Sequence, residues 1–310
     1  MLLLAISGGI DSMYLLNRAG EFFPGETFTV AHCNFCLRGE ESDGDEAFVC
    51  DWCRAHDVEF ISTRFDTKGY AKSKGISIEM AARELRYGWF AQLCLERGFR
   101  ATVVAHNAND NAETLILNLL RGTGSRGVRG MAEASVLPGT DGRIELLRPM
   151  LGISRAEIDA WMTGRSFNWR EDSTNGDKLY KRNLIRNDVF PLFAQINPSF
   201  IRTLQRDMQH MATTDDIAED YWSEAAPSIV SETATGISVS VPGLLGLKHW
   251  KYVLWRVLEP YNFSFETMEK LTILLEKFKN KPRGTVTLGG KTFESPTNRL
   301  RADSRKLVIS

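Results

Sequence analysis

The sequence has 310 residues and a formal net charge of −1, with 43% hydrophobic and 25% charged residues. This composition is ordinary for a folded protein long enough for two domains, and it excludes a disordered chain. The apolar runs are too short for membrane helices, and the opening run lacks the length and the charged flank of a signal peptide. We therefore expect a cytoplasmic protein with no membrane partner.

The net charge of the whole chain is near zero, but its central segment is basic. Between positions 121 and 206 the chain has 14 lysines and arginines against 9 acidic residues. Such a segment suits a polyanionic partner, although an excess of this size is also common on a solvated surface.

The five cysteines are too few, and odd in number, for a disulfide framework. Two CxxC pairs, Cys33 with Cys36 and Cys50 with Cys53, allow a four-thiolate zinc site as one reading. Cys50 and Cys53 fall in an apolar helical pattern, however, where a free cysteine is usually a small core residue.

The chain opens with a strand, a tight turn and the start of a helix. The apolar residues 2–6 precede the first loop, which we define as Ser7, Gly8, Gly9, Ile10, Asp11 and Ser12. Glycines let the backbone approach a phosphate, and the unpaired N–H groups of a first helical turn point at it. Asp11 would repel a phosphate unless a cation such as Mg²⁺ lies between them, so the loop indicates a magnesium nucleotide. An ordinary strand-to-helix turn capped by Asp11 or Ser12 is the alternative.

Residues 27–31 and 58–62 read as further strands, and residues 78–96 read as a helix. The acidic cluster 40–46 predicts a helix start capped by Ser42 or Asp43. Arg83 and Arg86 share one face of the later helix. They suit either surface ion pairs or a site that neutralises phosphate charge.

Residues 101–105 form a short, wholly apolar run typical of a buried parallel strand, and a helix follows. His106 lies at the end of this strand, and Asp110 and Glu113 are spaced i, i+3 in the first turns of the helix. Helix-end charge explains these carboxylates without a function. Together with His106 and the first loop at one sheet edge, they suit a site that holds a cationic amine.

The next segment, residues 121–131, is rich in glycine and arginine, and it begins with Arg121. It predicts either a flexible linker or a mobile loop that closes on phosphates or on an RNA backbone. A strand-like run at 146–150 and a capping box at Ser154 and Glu157 follow. Arg182 and Arg186 then form a basic helical stripe, which is either solvated or in contact with nucleic acid.

The pattern predicts an α/β fold: a doubly wound, mainly parallel sheet with a helical linker and a small second α/β domain. We expect a nucleotide-binding catalytic domain at 1–195, the linker at 196–225 and a small C-terminal domain at 226–310. Strand-like runs at 236–241, 285–288, 291–294 and 306–309 belong to the last of these.

Several motifs, in order along the chain, together resemble the tRNA(Ile)-lysidine synthetase family of PP-loop ATPases. They are SGGIDS at 7–12, HCNFCLRGEES at 32–42, AARELRY at 81–87, AHNAND at 105–110 with Glu113 and Thr114, LRGTG at 120–124, and EDS at 171–173 with RNLIR at 182–186.

The resemblance implies an enzyme that uses ATP, Mg²⁺ and free L-lysine to convert the wobble cytidine of a tRNA(Ile) with a CAU anticodon to lysidine. It implies ATP binding by Ser7, Gly8, Gly9, Ile10, Asp11 and Ser12, with Asp11 holding Mg²⁺. It implies lysine binding by Asp110 and Glu113 with His106 nearby, and tRNA or activated-cytidine contacts by Arg83, Arg121, Arg182 and Arg186. A homodimer is compatible with it.

Two features depart from the family pattern: Asn109 replaces a carboxylate found in many relatives, and Cys36 replaces His or Gly. Two other functions stay open. A PP-loop tRNA thiolase would use the CxxC cysteines for sulfur or an Fe–S cluster. A non-catalytic, nucleotide-dependent RNA-binding protein would need no role for Asp110 and Glu113.

Overall fold

The computed structural model describes residues 1–171, 181–280 and 288–310. The chain divides into two compact units, Met1–Ala212 and Thr213–Ser310. This division falls inside one long helix, Phe200–Ile229, which covers most of the expected linker. The domain limits at 195 and 225 stay predictions. In the described ranges no helix has both the length and the hydropathy needed to cross a membrane.

A six-stranded, mainly parallel sheet organises the described part of the first unit, which confirms the predicted fold class. Its spatial order is β3-β2-β1-β4-β6-β5, and only β5 runs antiparallel to its neighbour. The strands are β1 (Leu2–Ala5), β2 (Phe28–Asn34), β3 (Phe60–Arg64), β4 (Ala101–Val104), β5 (Ala134–Val136) and β6 (Glu145–Leu147). The sequence did not predict β5.

The central strand β1 is apolar throughout because helices cover both faces of the sheet. Leu2 and Leu4 point into one core and Leu3 into the other, as the two-residue period of a strand requires. The first core is completed by helices α1 (Ile10–Asn17), α3 (Glu40–Ala55) and α8 (Arg155–Gly164), and the second by α5 (Ile78–Arg97).

The remaining helices of the first unit connect or flank this framework. They are α2 (Ala19–Phe22), α4 (Thr67–Lys74), α6 (Ala108–Arg121), α7 (Ser125–Val128), α9 (Lys181–Leu184), a π-helical turn (Ile185–Val189) and α10 (Phe190–Ile196), before α11 (Phe200–Ile229) begins.

Local capping signals fix several helix ends. The capping box of Ser154 and Glu157 at the start of α8 is confirmed, and α5 begins at a Ser77 cap. The predicted cap of α3 by Ser42 or Asp43 is wrong. This helix begins at Glu40 after Gly39, whose φ of 55° turns the chain earlier than the polar residues suggest. The Ser42 hydroxyl instead accepts the N–H of Arg38.

The second unit, in its described residues, has a five-stranded antiparallel sheet of order β7-β8-β11-β10-β9. The strand predicted at 285–288 lies outside the described residues except for Leu288, and strands β7 and β10 were not predicted. The elements are β7 (Val230–Thr233), β8 (Gly236–Ser240), α12 (Val241–Gly246), α13 (Trp250–Leu258), a 3-10 turn (Glu259–Tyr261), α14 (Phe265–Lys279), β9 (Lys291–Glu294), β10 (Arg299–Ala302) and β11 (Lys306–Ile309).

Candidate functional site

The site lies at the point where the strand order of the parallel sheet reverses. β1 is flanked by β2 on one side and by β4 on the other, so the segments that leave β1 and β4 diverge at the same edge. Open α/β sheets bind ligands in the crevice that this divergence creates. The first loop follows β1 and His106 follows β4, so the topology brings together two segments about 100 residues apart.

Hydrogen bonds within the first loop hold it in a tight turn. The Ser12 hydroxyl accepts the N–H of Gly8 at 3.0 Å and donates to the carbonyl of Gly9 at 2.8 Å. Gly8 has a φ of 93°, a conformation that side-chain-bearing residues rarely adopt. No side chain of the described residues caps α1 at Gly9, so the N–H groups of its first turn remain available to an anion.

Asn107 connects Asp11 of the first loop with Asp110 on α6. Its side chain donates to Asp11 Oδ1 at 3.0 Å, and its backbone N–H donates to Asp110 Oδ2 at 3.0 Å. The second bond belongs to a capping box at the start of α6. One oxygen of Asp110 therefore serves the helix cap, and the other accepts from Arg186 at 3.2 Å.

Glu113 is a fully buried carboxylate in this cluster, with a side-chain exposure of 0%. Its Oε1 accepts from Arg186 Nε at 2.7 Å, whereas its Oε2 has no hydrogen-bond partner within the described ranges. Burial raises the pKa of Glu113, and Arg186 opposes that shift. A buried carboxylate oxygen without a donor is costly, so the cluster is suited to receive a cationic N–H group.

His106 remains neutral at physiological pH. Burial lowers its pKa to about 4, with a further contribution from Arg148, while the Asp110 carboxylate opposes the shift. Its Nδ1 has no partner among the residues that the structure describes. His32 lies inside β2, two residues before its end, with its Nδ1 2.9 Å from the carbonyl oxygen of Ile6, and burial lowers its pKa as well.

Two cavities meet at Asp11. The smaller cavity, of about 320 Å³, has one apolar wall formed by Ile6, Ala31, Phe35 and Phe90, and we call it the apolar cavity. Polar side chains, including Arg86 and His106, complete its lining. The polar cavity, of about 580 Å³, is lined by the first loop together with Asn107, Arg155, Arg170 and Arg186. A flat ring suits the first and charged oxygen-rich groups suit the second.

The predicted arginines occupy different surroundings. Arg186 contacts both carboxylates of α6, and Arg182 donates to Thr114 Oγ1 at 3.3 Å. Arg83 is exposed, with its guanidinium 4.9 Å from the ring centroid of Tyr87. Arg121 is exposed at the end of α6. Of the EDS motif, Asp172 and Ser173 lie outside the described residues.

The first loop contains one carboxylate, Asp11, at the place where a metal would meet the phosphates. The described residues contain no group of three or more His, Cys, Asp or Glu side chains that could hold a metal ion by themselves. Mg²⁺ is usually bound by one or two carboxylates that share it with substrate phosphates. Asp11, half-buried in the first loop, fits that role.

The cysteines are poorly placed for a metal or sulfur role. Burial raises the pKa of the Cys33 and Cys53 thiols to about 12, so both are protonated at neutral pH. The part of the chain that the structure describes includes all five cysteines, and it does not gather them into a ligand cluster.

Sequence reasoning did not assign roles to Asn107 and Arg155. Asn107 lies inside the AHNAND motif, so its position was marked without its role. Arg155 lies inside the capping box of Ser154 and Glu157, and the start of a helix was sufficient to explain that pattern. In the structure Arg155 Nη1 donates to Asp11 Oδ2 at 2.6 Å.

Comparison with known proteins identifies the family. A family model described as "PP-loop domain" matches residues 1–193. The tRNA(Ile)-lysidine synthase of Parabacteroides distasonis is 37% identical over 99% of this chain and 65% of its own length. That of Chlorobaculum tepidum is 38% identical over 84% of this chain and 78% of its own.

A solved U34-tRNA thiolase from Methanococcus maripaludis superposes with a TM-score of 0.56 at 15% identity, over 68% of this chain and 71% of that one, which bears on the fold alone. The chain spans less than two thirds of the Parabacteroides relative, at 65% of its length. The family model and the identity to these synthases together show that the chain belongs to the tRNA(Ile)-lysidine synthase family of PP-loop proteins.

Proposed function

We propose that the chain ligates L-lysine to C2 of the wobble cytidine of a tRNA(Ile) with a CAU anticodon, at the expense of ATP. In the first step the cytidine O2 attacks the α-phosphorus of ATP, and pyrophosphate leaves. In the second step the ε-amine of lysine attacks C2, and AMP leaves with the former O2. The protein relatives named above support this reaction, and the arrangement of the site accommodates both steps.

The observation that carries the proposal is the connection between the first loop and the buried carboxylates. Asn107 bonds to Asp11 and Asp110, and Arg186 bonds to Asp110 and Glu113. The phosphate-binding turn and an acceptor for an ammonium group are therefore parts of one hydrogen-bonded network. A nucleotide-binding protein without an amine substrate has no need of the second part.

The two cavities suit the two ends of ATP. The apolar cavity accepts the adenine ring, and the first-turn N–H groups of α1 bind phosphate oxygens beside it. Mg²⁺, held by Asp11 and phosphate oxygens, would neutralise charge on the leaving pyrophosphate. The neutral His106 lines the same cavity as Asp11, where a ring N–H can donate a hydrogen bond to an oxygen of the α-phosphate.

Glu113 and Asp110 are suited to bind the lysine ammonium and to accept its proton. An amine with a pKa of about 10.4 is almost wholly protonated at neutral pH and must lose a proton before it attacks. The partnerless oxygen of Glu113 accepts a hydrogen bond from the ammonium, and its raised pKa makes it a stronger base than an ordinary glutamate.

Incorporation of labelled lysine into a tRNA(Ile) transcript tests the function. The purified chain, ATP and Mg²⁺ should transfer label to the transcript with a CAU anticodon, with one pyrophosphate and one AMP released per lysine. A methionine tRNA with the same anticodon tests discrimination, and omission of ATP is the control.

The other candidate functions predict different outcomes. Transfer of sulfur to the tRNA, abolished by Cys33→Ser, would indicate a thiolase. Nucleotide-dependent tRNA binding without pyrophosphate release or lysine transfer would indicate a non-catalytic binding protein. Either result contradicts the proposed ligation.

A further inference from the structure

The polar cavity contains an arginine that neither the sequence motifs nor the network of Glu113 accounts for. Arg155 is the first residue of α8, and its guanidinium lies against Asp11 with Nη1 2.6 Å from Oδ2. Its Nε is 3.2 Å from Asp159 Oδ1 on the next turn. The side chain is partly exposed, at 37%, and lines the same cavity as Ser7, Gly9 and Ile10 of the first loop.

The backbone of Arg155 is tied to the site as well. Its N–H donates to Asn109 Oδ1 at 3.1 Å, and Asn109 is two residues from the Asn107 that bonds to Asp11. This bond fixes the start of α8 beside the start of α6. The guanidinium is therefore positioned by three contacts, one to each of Asp11, Asp159 and, through the backbone, Asn109.

The other arginines of the cavity are engaged elsewhere. Arg186 contacts Asp110 and Glu113, and Arg170 Nε contacts Asp45 at 3.1 Å. Arg170 reaches the first loop only through its backbone N–H, which donates to the Gly8 carbonyl at 2.9 Å, whereas the guanidinium of Arg155 bonds to Asp11 of that loop. A guanidinium at this position faces the same space as the N–H groups that receive phosphate oxygens, and its planar fork suits two of those oxygens.

We propose that Arg155 binds the pyrophosphate leaving group in the polar cavity. This inference rests on the proposed function, which requires a pyrophosphate at the first loop. Arg155 forms an ion pair with Asp11 in the structure. When pyrophosphate lies on the first loop, the Arg155 guanidinium contacts pyrophosphate oxygens. Because a magnesium ion and a guanidinium compete for Asp11, Mg²⁺ on that carboxylate would favour contact between Arg155 and pyrophosphate.

Direct binding of inorganic pyrophosphate tests the proposal without turnover. In calorimetric titrations with Mg²⁺ present, Arg155→Gln should weaken pyrophosphate binding about ten-fold or more, the loss typical of a charge-assisted hydrogen bond. Arg155→Lys should weaken it less, and AMP binding should stay within about two-fold in both variants. Arg165→Gln is the matched control, because Arg165 follows the other end of α8 with its guanidinium 4.6 Å from the ring centroid of Trp161.

A second comparison separates contact with pyrophosphate from neutralisation of Asp11. Without magnesium, Asp11→Asn and the double variant Asp11→Asn, Arg155→Gln are titrated with pyrophosphate. If Arg155 contacts pyrophosphate, the double variant binds it several-fold more weakly than Asp11→Asn alone. Equal affinities would mean that Arg155 acts only on Asp11, and they would overturn the proposal.

The proposal and the proposed function fail separately. Equal pyrophosphate affinity of the parent and Arg155→Gln overturns the role of Arg155, while lysine incorporation by the parent is unaffected. If the parent binds pyrophosphate in an Arg155-dependent way but incorporates no lysine, the ligase function is wrong and the role of Arg155 stands.

Discussion

Replacement of Glu113 by glutamine removes one charge from the site with little change in shape. The glutamine Oε1 can still accept from Arg186 Nε, now 2.7 Å from the glutamate oxygen. The amide nitrogen replaces the Oε2 that has no partner among the described residues. Because an amide nitrogen only donates, it cannot receive the ammonium of lysine. A charge-assisted hydrogen bond contributes about 1.5–3 kcal/mol, so we expect lysine affinity to fall roughly 10- to 150-fold.

Steady-state kinetics with tRNA(Ile) measure this effect in the KM for lysine. Pyrophosphate release with ATP and tRNA in the absence of lysine should be preserved in Glu113→Gln, because the first step uses the first loop. Glu96→Gln, which removes an exposed carboxylate on α5 bonded to Gln92, is the control and should behave as the parent. A Glu113→Gln enzyme with the parental KM for lysine would refute the placement of the amine at Glu113.

Three further predictions concern stability and are measured by urea unfolding. Because the pKa of His106 is lowered in the folded state, the unfolded chain takes up a proton first as the pH falls from about 6.5 to about 4. The free energy of unfolding of the parent should therefore fall by about 2 kcal/mol between pH 7 and pH 5, a loss that His106→Gln should not show. Equal pH dependence of the two proteins would contradict the burial of a neutral imidazole. Gly8→Ala should cost about 1–2 kcal/mol, because a Cβ there meets Val49 at an ordinary 3.5 Å and only the φ of 93° is strained; an unchanged midpoint would show that the turn relaxes. Arg256→Met removes a guanidinium that is 7% exposed and bonds to Glu219 and Glu259, and it should cost about 3 kcal/mol. The exposed ion pair broken by Lys270→Met should cost little. Similar small losses from both variants would contradict the burial of Arg256.

The features that were predicted correctly from the sequence depend on residues close together in the chain. The serines, glycines and aspartate of the first loop are contiguous, so the turn closes by bonds between residues at most five positions apart. The capping box of Ser154 and Glu157 joins residues three positions apart. The strand β1 is identified by its own apolar run. In each case the interacting groups are neighbours in the chain, and their spacing determines the geometry.

The sequence determined the chemistry of the first loop and the presence of Asp110 and Glu113 on one helix, because those features depend on local spacing. Only the tertiary structure decided that Glu113 is fully buried, that Arg186, 73 positions away, contacts it, and that Arg155, 144 positions from Asp11, completes the polar cavity. Strands β5, β7 and β10 were likewise not predicted. Strand pairing, burial and ion pairs between distant segments depend on which elements pack together, and the spacing of residues along the chain does not encode that packing.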